Sequence, residues 1–273
     1  MSETSPLVSI MIPYYNHKHF VTKTLDSVLA DTYANKEIII INDGSSDTDD
    51  AAIRDWISKH AHEITVDYTS RENKGLLKTI NELISRANGE YLLPIASDDY
   101  FVNNTIGERV SLLESNPDKL MLLSDVLVVD DDGNKLYDSY TFECRHKDKS
   151  AYMSDSTLQK QIIREWAIAG PSIFLHKSIY EIVGKYDETL MVEDWDFALR
   201  VVAKDLMLFH DKVVAAYRLH DNNTCTNDAL QYTLTEQFAK IADQNLKHFN
   251  LIGKYYLWRK RRTYRRALKK FNR

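Results

Sequence analysis

Short apolar runs alternate with amphipathic segments over the first part of the chain. Four of the runs have the length of buried strands: residues 7–13, 37–41, 64–68 and 91–95. The segments between them repeat apolar residues at helical spacing: residues 20–29, 51–57 and 76–87. Strands that alternate with helices in this way favour parallel pairing. The pattern therefore predicts an α/β fold with a mostly parallel sheet flanked by helices.

The second half of the chain is less regular. An apolar strand pattern over residues 120–129 is followed by an acidic turn, Asp130–Asn134, and a returning strand over 135–142. The polar stretch 143–155 predicts a mobile surface loop. Later patterns predict further elements: helices near 157–166, 178–183 and 192–204, short strands at 206–209 and 212–218, and a long helix from about Asn227. Because no linker pattern appears, we expect one domain over 1–225 and a helical extension over 226–273.

Composition narrows the class of protein. A hydrophobic content of 44% over 273 residues is typical of a folded globular chain. Two cysteines, Cys144 and Cys225, cannot form a disulfide framework or a four-cysteine zinc site, which favours a reducing compartment. The N-terminus has no signal-peptide pattern, and no run reaches the ~18 apolar residues of a membrane span. We therefore expect a cytoplasmic protein.

Polar stretches follow the predicted strands, at the edge of the sheet where α/β proteins bind ligands. Asp43, at the end of the second strand and beside a glycine, suits the base or ribose of a nucleotide. An ordinary turn with Asp47 or Ser46 capping the next helix explains the pattern as well. The adjacent carboxylates of Asp98 and Asp99 repel each other, so a divalent cation would neutralise them. The alternative there is a solvated helix start.

Two later segments carry further candidates. Glu193-Asp194-Trp195 begins a predicted helix, where the helix dipole alone favours acids. A carboxylate that points from there into a cleft could act as a base, and the indole could support a sugar ring. Arg218 and His220 end a strand and place a cation next to an imidazole. That pair suits a phosphate or a metal, although it also occurs as ordinary surface residues.

Six chemistry-bearing segments follow one another along the chain: Ser9–Asn16, Glu37–Asp47, Asn73-Lys74-Gly75, Asn88-Gly89-Glu90-Tyr91, Ser97-Asp98-Asp99, and Gly184–Glu188 leading to Glu193-Asp194-Trp195. In order and spacing they resemble the family-2 inverting glycosyltransferases of the GT-A fold. The resemblance covers about residues 7–220. It implies a Rossmann-like sheet in which residues 1–100 form the nucleotide-sugar half and residues 101–225 the acceptor half.

The resemblance implies roles for the matching residues. The donor nucleotide would be bound by nine of them: Pro13, Tyr15, Asp43, Asn73, Lys74, Gly75, Ser97, Asp98 and Arg218. A divalent metal, Mn²⁺ or Mg²⁺, would bridge the diphosphate with three ligands from the chain: Asp98, Asp99 and His220. Asp194 would be the catalytic base, and Glu193 and Trp195 would contact the acceptor.

Two positions depart from the family pattern. Ala96 stands where many relatives carry the first acid of an Asp-X-Asp-Asp segment, which removes an expected ribose or metal contact. Ile80 precedes Asn81 where relatives often carry Arg, so that Lys78 would have to supply the missing donor contact. Both departures concern the donor side of the site.

The implied reaction is the inverting transfer of a hexose or N-acetylhexosamine. The donor would be a nucleoside-diphosphate sugar, with UDP ahead of dTDP, and the acceptor a hydroxyl of a glycan or lipid-linked glycan. Surface polysaccharide or lipopolysaccharide synthesis would use such a step. Two alternatives stay open: an idle nucleotide-sugar-binding module, which Ala96 would fit, and a sugar nucleotidyltransferase. The latter normally carries a Gly-rich basic loop where this chain has Pro13-Tyr14-Tyr15-Asn16-His17.

Charge is distributed unevenly along the chain. There are 35 Lys and Arg against 40 Asp and Glu, but ten of the basic residues and none of the acidic ones lie in 254–273. The acidic remainder argues against a protein that coats nucleic acid. The tail also carries an apolar stripe: Leu257, Tyr264, Ala267, Leu268 and Phe271. This pattern predicts either a peripheral helix on an anionic membrane or a helix that packs its stripe on the body.

Overall fold

The computed structural model describes residues 5–46, 51–167, 169–220 and 230–271. Its strands form one sheet: β1 (Val8–Tyr14), β2 (Lys36–Asp43), β3 (Thr65–Arg71), β4 (Tyr91–Pro94), β5 (Tyr100–Phe101), β6 (Met121–Val129), β7 (Lys135–Tyr137), β8 (Ile173–His176) and β9 (Met207–Arg218). Its α-helices are α1 (Val21–Ala30), α2 (Ala51–His60), α3 (Leu76–Arg86), α4 (Ile106–Glu114), α5 (Asp155–Arg164), α6 (Ile179–Val183), α7 (Glu193–Val202), α8 (Gln231–Asn245) and α9 (Leu251–Phe271). Asp47, Cys225 and Asn227 lie outside the described residues.

The strand order is β3-β2-β1-β4-β8-β6-β9-β5, with β7 paired to β6. The first four strands of this order are parallel, as the alternating pattern predicts. Beyond β4 the pairings are antiparallel, except that β6 and β9 run parallel. The predicted α/β class is confirmed, with the parallel pairing concentrated in the N-terminal half of the sheet.

Burial on both faces explains the unbroken apolar run of β2. Ile38 and Ile40 pack in the core layer that contains α1, α2 and α4, whereas Ile39 and Ile41 pack in the layer that contains α3, α5 and α7. Successive side chains of a strand point to opposite faces, so a strand covered on both sides needs apolar residues throughout.

Several elements of the second half differ from the sequence predictions. The pattern does not reveal β5, α4 or β8, and two of these are short strands that depend on pairing with neighbours for their conformation. A single strand, β9, replaces the two strands predicted over 206–218. It stays paired with β6 along its length, although the register shifts on both sides of Asp125. The predicted turn at Asp130–Asn134 is confirmed: the Asn134 N–H donates to the Asp130 carboxylate at 2.8 Å.

The stretch 143–155 lies at the surface, as its polarity predicts, but it contains helical turns and one buried residue. The expected returning strand forms only as β7, because a π-helical turn, Tyr140–Cys144, replaces its end; a 3₁₀ turn follows at Lys149–Tyr152. Tyr152 is buried, and its ring contacts those of Phe142 and Phe209. Aromatic burial therefore anchors this segment.

The C-terminal helices pack on the body of the protein. α8 and α9 contact each other, α8 contacts α7, and α9 contacts α5. Within the described ranges, no helix is long and apolar enough to cross a membrane.

Candidate active site

The loops that follow β1, β2 and β4 are tied together at one edge of the sheet. The Asn16 N–H donates to Ser45 Oγ at 2.9 Å, and the Asn16 side chain accepts from the Ser46 N–H at 2.8 Å. Nδ1 of His17 lies 3.0 Å from Oγ of Ser97. The three loops and the strand ends before them carry five of the predicted donor residues: Pro13, Tyr15, Asp43, Ser97 and Asp98.

Asp43 is a buried carboxylate that fixes the loop before α3. Its Oδ1 accepts from the Lys74 N–H at 2.8 Å and its Oδ2 from the Gly75 N–H at 2.9 Å. It also pairs with the guanidinium of Arg71. The structure thus brings together Asp43 and the predicted segment 73–75, and it adds Arg71, which the sequence analysis missed. A signal was present, since Arg71 ends β3 in register with Asp43 at the end of β2.

Gly44 permits this close approach of the two loops. Its φ is +75°, and a Cβ at this position would lie 2.5 Å from the backbone nitrogen of Asn73. A larger residue would be strained and would push the loop away. Asp43 and Gly44 therefore act together in positioning residues 73–75.

Asp98, His17 and His220 form the only group of three potential metal ligands found among the described residues. Oδ2 of Asp98 lies 2.9 Å from Nε2 of His220, and Oδ1 lies 3.7 Å from Nδ1 of His17. One ligand atom of each residue lies within 4.8 Å of the others. Oδ1 of Asp98 is buried and accepts no hydrogen bond from the described residues. A cation would satisfy this oxygen, so the residues fit a divalent metal.

The donor set of this group favours one of the two expected metals. Two imidazoles and one carboxylate suit Mn²⁺ better than Mg²⁺, which prefers oxygen ligands throughout. The sequence analysis missed His17 as a ligand. Its position just after β1, at the ligand-binding edge of the sheet, was the available signal.

Asp99 and Arg218 are placed differently from the sequence prediction. Oδ1 of Asp99 accepts from the Arg218 N–H at 2.9 Å, and burial together with the Asp98 charge raises the pKa of Asp99 well above its usual value. The Arg218 guanidinium is buried and donates to the carbonyl oxygens of Asp98 and of two residues in the turn 130–134. A buried guanidinium must satisfy its donors within the protein. Neither side chain joins the ligand group, and both shape the segment that presents Asp98.

Asp194 lies in the first turn of α7 and is held by two donors. Its Oδ1 accepts from the Trp195 N–H at 2.7 Å, and its Oδ2 accepts from the indole N–H of Trp166. Burial raises the pKa of Asp194 to about 6, and burial with the Asp194 charge raises the pKa of Glu193 to about 8. A carboxylate of that pKa is ionised at neutral pH and is a better base than an exposed one. The sequence analysis missed Trp166.

The loop that precedes α7 is attached to α3. The Asn81 amide donates to the carbonyl of Tyr186 and to the Glu188 carboxylate, each at 3.0 Å, and its oxygen accepts from the Tyr186 N–H at 3.2 Å. Ile80 packs against the core, whereas the side chain of Lys78 is exposed. α3 thus connects the loop 73–75 to the segment that leads into α7.

The structure contradicts the prediction that Trp195 presents its ring to an acceptor. Trp195 is only 1% exposed, and its indole N–H donates to the carbonyl of Ile162 at 2.8 Å. Its ring contacts those of Phe238 and Tyr264. One step along a helix turns a side chain by about 100°, so the residue after Asp194 faces the core rather than the site.

We expect Trp195→Ala to lower the free energy of unfolding by about 3–5 kcal/mol, because it leaves a large cavity between α5, α7 and the C-terminal helices. Denaturant unfolding followed by circular dichroism measures this change. Trp258→Ala, at an exposed position, serves as the control and should change stability by about 0.5 kcal/mol or less. If Trp195→Ala kept full stability but had a raised acceptor KM, Trp195 would contact the acceptor after all.

Comparison with known proteins places this chain in a family. Residues 9–173, more than half of the chain, match the family model of glycosyl transferase family 2. An uncharacterized glycosyltransferase of Rickettsia typhi is 30% identical over 228 residues, which cover 83% of this chain and 68% of that protein. An uncharacterized glycosyltransferase of Haemophilus influenzae is 26% identical over 260 residues, which cover 92% of this chain and 77% of that protein.

Solved structures share the fold. Residues 1–349 of S. aureus TarS, in complex with UDP-GlcNAc, superpose with a TM-score of 0.67 at 17% identity, covering 92% of this chain and 69% of that one. The mannosyltransferase PcManGT from Pyrobaculum calidifontis, in complex with GDP-Man and Mn²⁺, gives a TM-score of 0.70 at 15% identity, covering 98% of this chain and 75% of that one. At this identity the likeness concerns the fold. Together with the family match, it shows that the chain belongs to glycosyl transferase family 2 and has the GT-A fold.

Proposed function

We propose that this glycosyltransferase moves a hexose or N-acetylhexosamine, with inversion, from a nucleoside-diphosphate sugar to a glycan or lipid-linked glycan. The observation that carries the proposal is the group of Asp98, His17 and His220 at the sheet edge that also holds the Asp43 loop. Such a group can hold a metal on the diphosphate while the neighbouring loop receives the nucleoside. The cellular context we propose is polysaccharide or lipopolysaccharide synthesis, at the cytoplasmic face of the membrane.

The donor nucleotide would lie across the loops that follow β1, β2 and β3. Tyr15 has an exposed ring that can stack on the base, and Asn73 and Lys74 have exposed side chains next to Asp43. Pro13, Gly75 and Ser97 would line the same pocket. The TarS structure contains UDP-GlcNAc and the mannosyltransferase structure contains GDP-Man, which supports a nucleotide-sugar donor. We propose UDP as the first nucleotide to test.

The diphosphate would lie at the Asp98 group. A divalent metal held there by Asp98, His17 and His220 would stabilise the negative charge that develops on the leaving group. The Mn²⁺ in the mannosyltransferase structure supports this choice of ion. Asp99 and Arg218 would position the Asp98 segment rather than touch the donor.

Asp194 would act as the general base. The acceptor hydroxyl attacks the anomeric carbon on the face opposite the diphosphate, and a new carbon–oxygen bond forms as the bond to the diphosphate oxygen breaks. The diphosphate keeps the electron pair of the broken bond, and Asp194 takes the hydroxyl proton. The N–H groups of Trp166 and Trp195 hold the carboxylate in place. The raised pKa of Glu193 keeps this side chain largely protonated at neutral pH, so that it can donate a hydrogen bond to the acceptor.

A donor panel tests the proposal. UDP-, dTDP- and GDP-sugars are incubated with the protein and Mn²⁺, and nucleoside diphosphate release is measured with and without a panel of glycan acceptors. We expect one donor to give release that increases with acceptor, and NMR of the product to show the opposite anomer from the donor. Synthesis of a nucleotide sugar from a nucleoside triphosphate and a sugar 1-phosphate would instead indicate a nucleotidyltransferase. Donor binding without release under any condition would indicate an idle module.

A further inference from the structure

The apolar stripe of the basic tail packs on the body except at Phe271, which is 52% exposed. Leu257 is fully buried, Tyr264 stacks on Phe238 with ring centroids 5.1 Å apart, and Ala267 and Leu268 are half-buried. Of the two arrangements that the sequence pattern predicts for this stripe, the structure therefore shows the one in which it packs largely on the body. Any contact of α9 with another surface must use its other side.

The outward side of α9 begins with four exposed apolar or aromatic residues. Leu251 is 85% exposed, Ile252 62%, Tyr255 53% and Trp258 42%. Their spacing places them on adjoining turns of one face, opposite Leu257. Exposed residues of this size are common singly, but a cluster of four on one helix indicates a contact surface.

Basic residues continue the same face toward the C-terminal end of α9. Arg262 lies over the Trp258 ring, with 5.4 Å between its guanidinium carbon and the ring centroid. Arg266 and Lys269 follow one and two turns later. Of the described carboxylates, only Asp243 pairs with α9, and its partners are Arg261 and Arg265. The charges of Arg262, Arg266 and Lys269 therefore stay uncompensated within the described part of the chain.

A shallow depression marks this basic segment. Its volume is about 350 Å³, and six residues line it: Trp258, Arg261, Arg262, Arg265, Arg266 and Lys269. Three of the five cations, Arg262, Arg266 and Lys269, have no carboxylate partner among the described residues, and together they suit a phosphate group at the edge of an apolar surface. Aromatic rings and long basic side chains also share the headgroup region of membranes.

We propose that this outward face of α9, from Leu251 through Lys269, binds the surface of an anionic lipid bilayer. The four apolar residues would enter the boundary between headgroups and acyl chains, and the cations would meet lipid phosphates. An acidic body, with 40 Asp and Glu in the whole chain and none in 254–273, would keep the remaining surface away from the bilayer. This inference rests on the proposed location at a membrane but needs none of the transfer chemistry.

Sedimentation of the full chain with vesicles tests it, using phosphatidylcholine with or without phosphatidylglycerol. We expect binding only to the anionic vesicles, and less binding as salt increases. Arg262→Gln/Arg266→Gln and Leu251→Ser/Trp258→Ser should each lower the affinity for the vesicles at least about tenfold. Arg54→Gln/Lys59→Gln removes the same charge elsewhere on the surface and should bind as the wild type does.

Nucleoside diphosphate release with a water-soluble acceptor is measured for the same variants and should stay unchanged, which separates this inference from the proposed reaction. Three results would overturn it: no binding of the wild type to anionic vesicles, equal binding by the α9 variants, or a dimer that the α9 variants abolish while vesicles are ignored. Unchanged thermal unfolding of the variants confirms that exposed substitutions leave the fold intact.

Discussion

Asp194→Asn is expected to abolish sugar transfer while donor binding survives. The amide cannot accept the acceptor proton, and loss of a general base typically costs ~10²–10⁴ in rate. Asp194 lies at the start of α7, outside the loops that hold the nucleotide, so the donor Kd should change little. Product formation and calorimetric titration with the donor measure the two effects separately.

Two comparisons make this assignment specific. Glu193→Gln alters the neighbouring carboxylate in the same helical turn and should raise the acceptor KM more than it lowers kcat.

Trp166→Phe removes a hydrogen-bond donor that lowers the pKa of Asp194, so the pKa of Asp194 should rise in this variant. Because the base works only when ionised, the wild-type rate should fall as pH drops below about 6, and in Trp166→Phe this fall should begin at higher pH. Retained turnover in Asp194→Asn, or loss of turnover confined to Glu193→Gln, would move the base to Glu193.

Removal of divalent metal is expected to stop transfer, with a rate loss of roughly 10²–10³. Excess chelator should produce this loss and Mn²⁺ should reverse it. Electron paramagnetic resonance of Mn²⁺ gives a readout that does not depend on activity. His17→Gln and His220→Gln should each weaken Mn²⁺ binding at least about tenfold, and Asp98→Asn should weaken it most because it removes the only negative ligand.

Asp132→Asn is the matched control for this experiment. Asp132 is exposed in the acidic turn 130–134, whose sequence pattern predicts a hairpin turn. Its substitution should leave Mn²⁺ binding unchanged. Full transfer in excess chelator would show that cations of the chain, Lys74 first among them, bear the diphosphate charge. Unchanged binding in His17→Gln would remove that residue from the ligand group.

Features that depend only on residues close together along the chain could be predicted from the sequence. The apolar runs of β1 and β2 predict buried parallel strands because strands covered on both faces need apolar residues at every position. The turn 130–134 follows from its own residues, since Asp130 and Asn134 close it by hydrogen bonds to each other. Asp43, Asp98 and Asp194 could be named as candidates because each follows a strand or begins a helix, positions that can be read along the chain.

Partners that are distant along the chain cannot be read in this way. His17 approaches Asp98 because β1 and β4 are neighbours in the sheet, and Trp166 approaches Asp194 because α5 packs against α7. Arg218 ends in a buried cluster of carbonyl oxygens from segments that lie about ninety or more residues away. No spacing rule relates such positions, so the sequence analysis missed two of these residues and misplaced the third.

The α/β class, the parallel pairing of the N-terminal strands, the acidic positions at strand and helix ends, and the basic character of α9 all follow from the sequence. The folded structure is needed to see which side of α9 meets the body, that Trp195 is a core residue, and which side chains surround Asp98. The physical reason is that periodicity shows that a face is apolar but not what covers it. Burial and ligand geometry depend on elements brought together from distant parts of the chain.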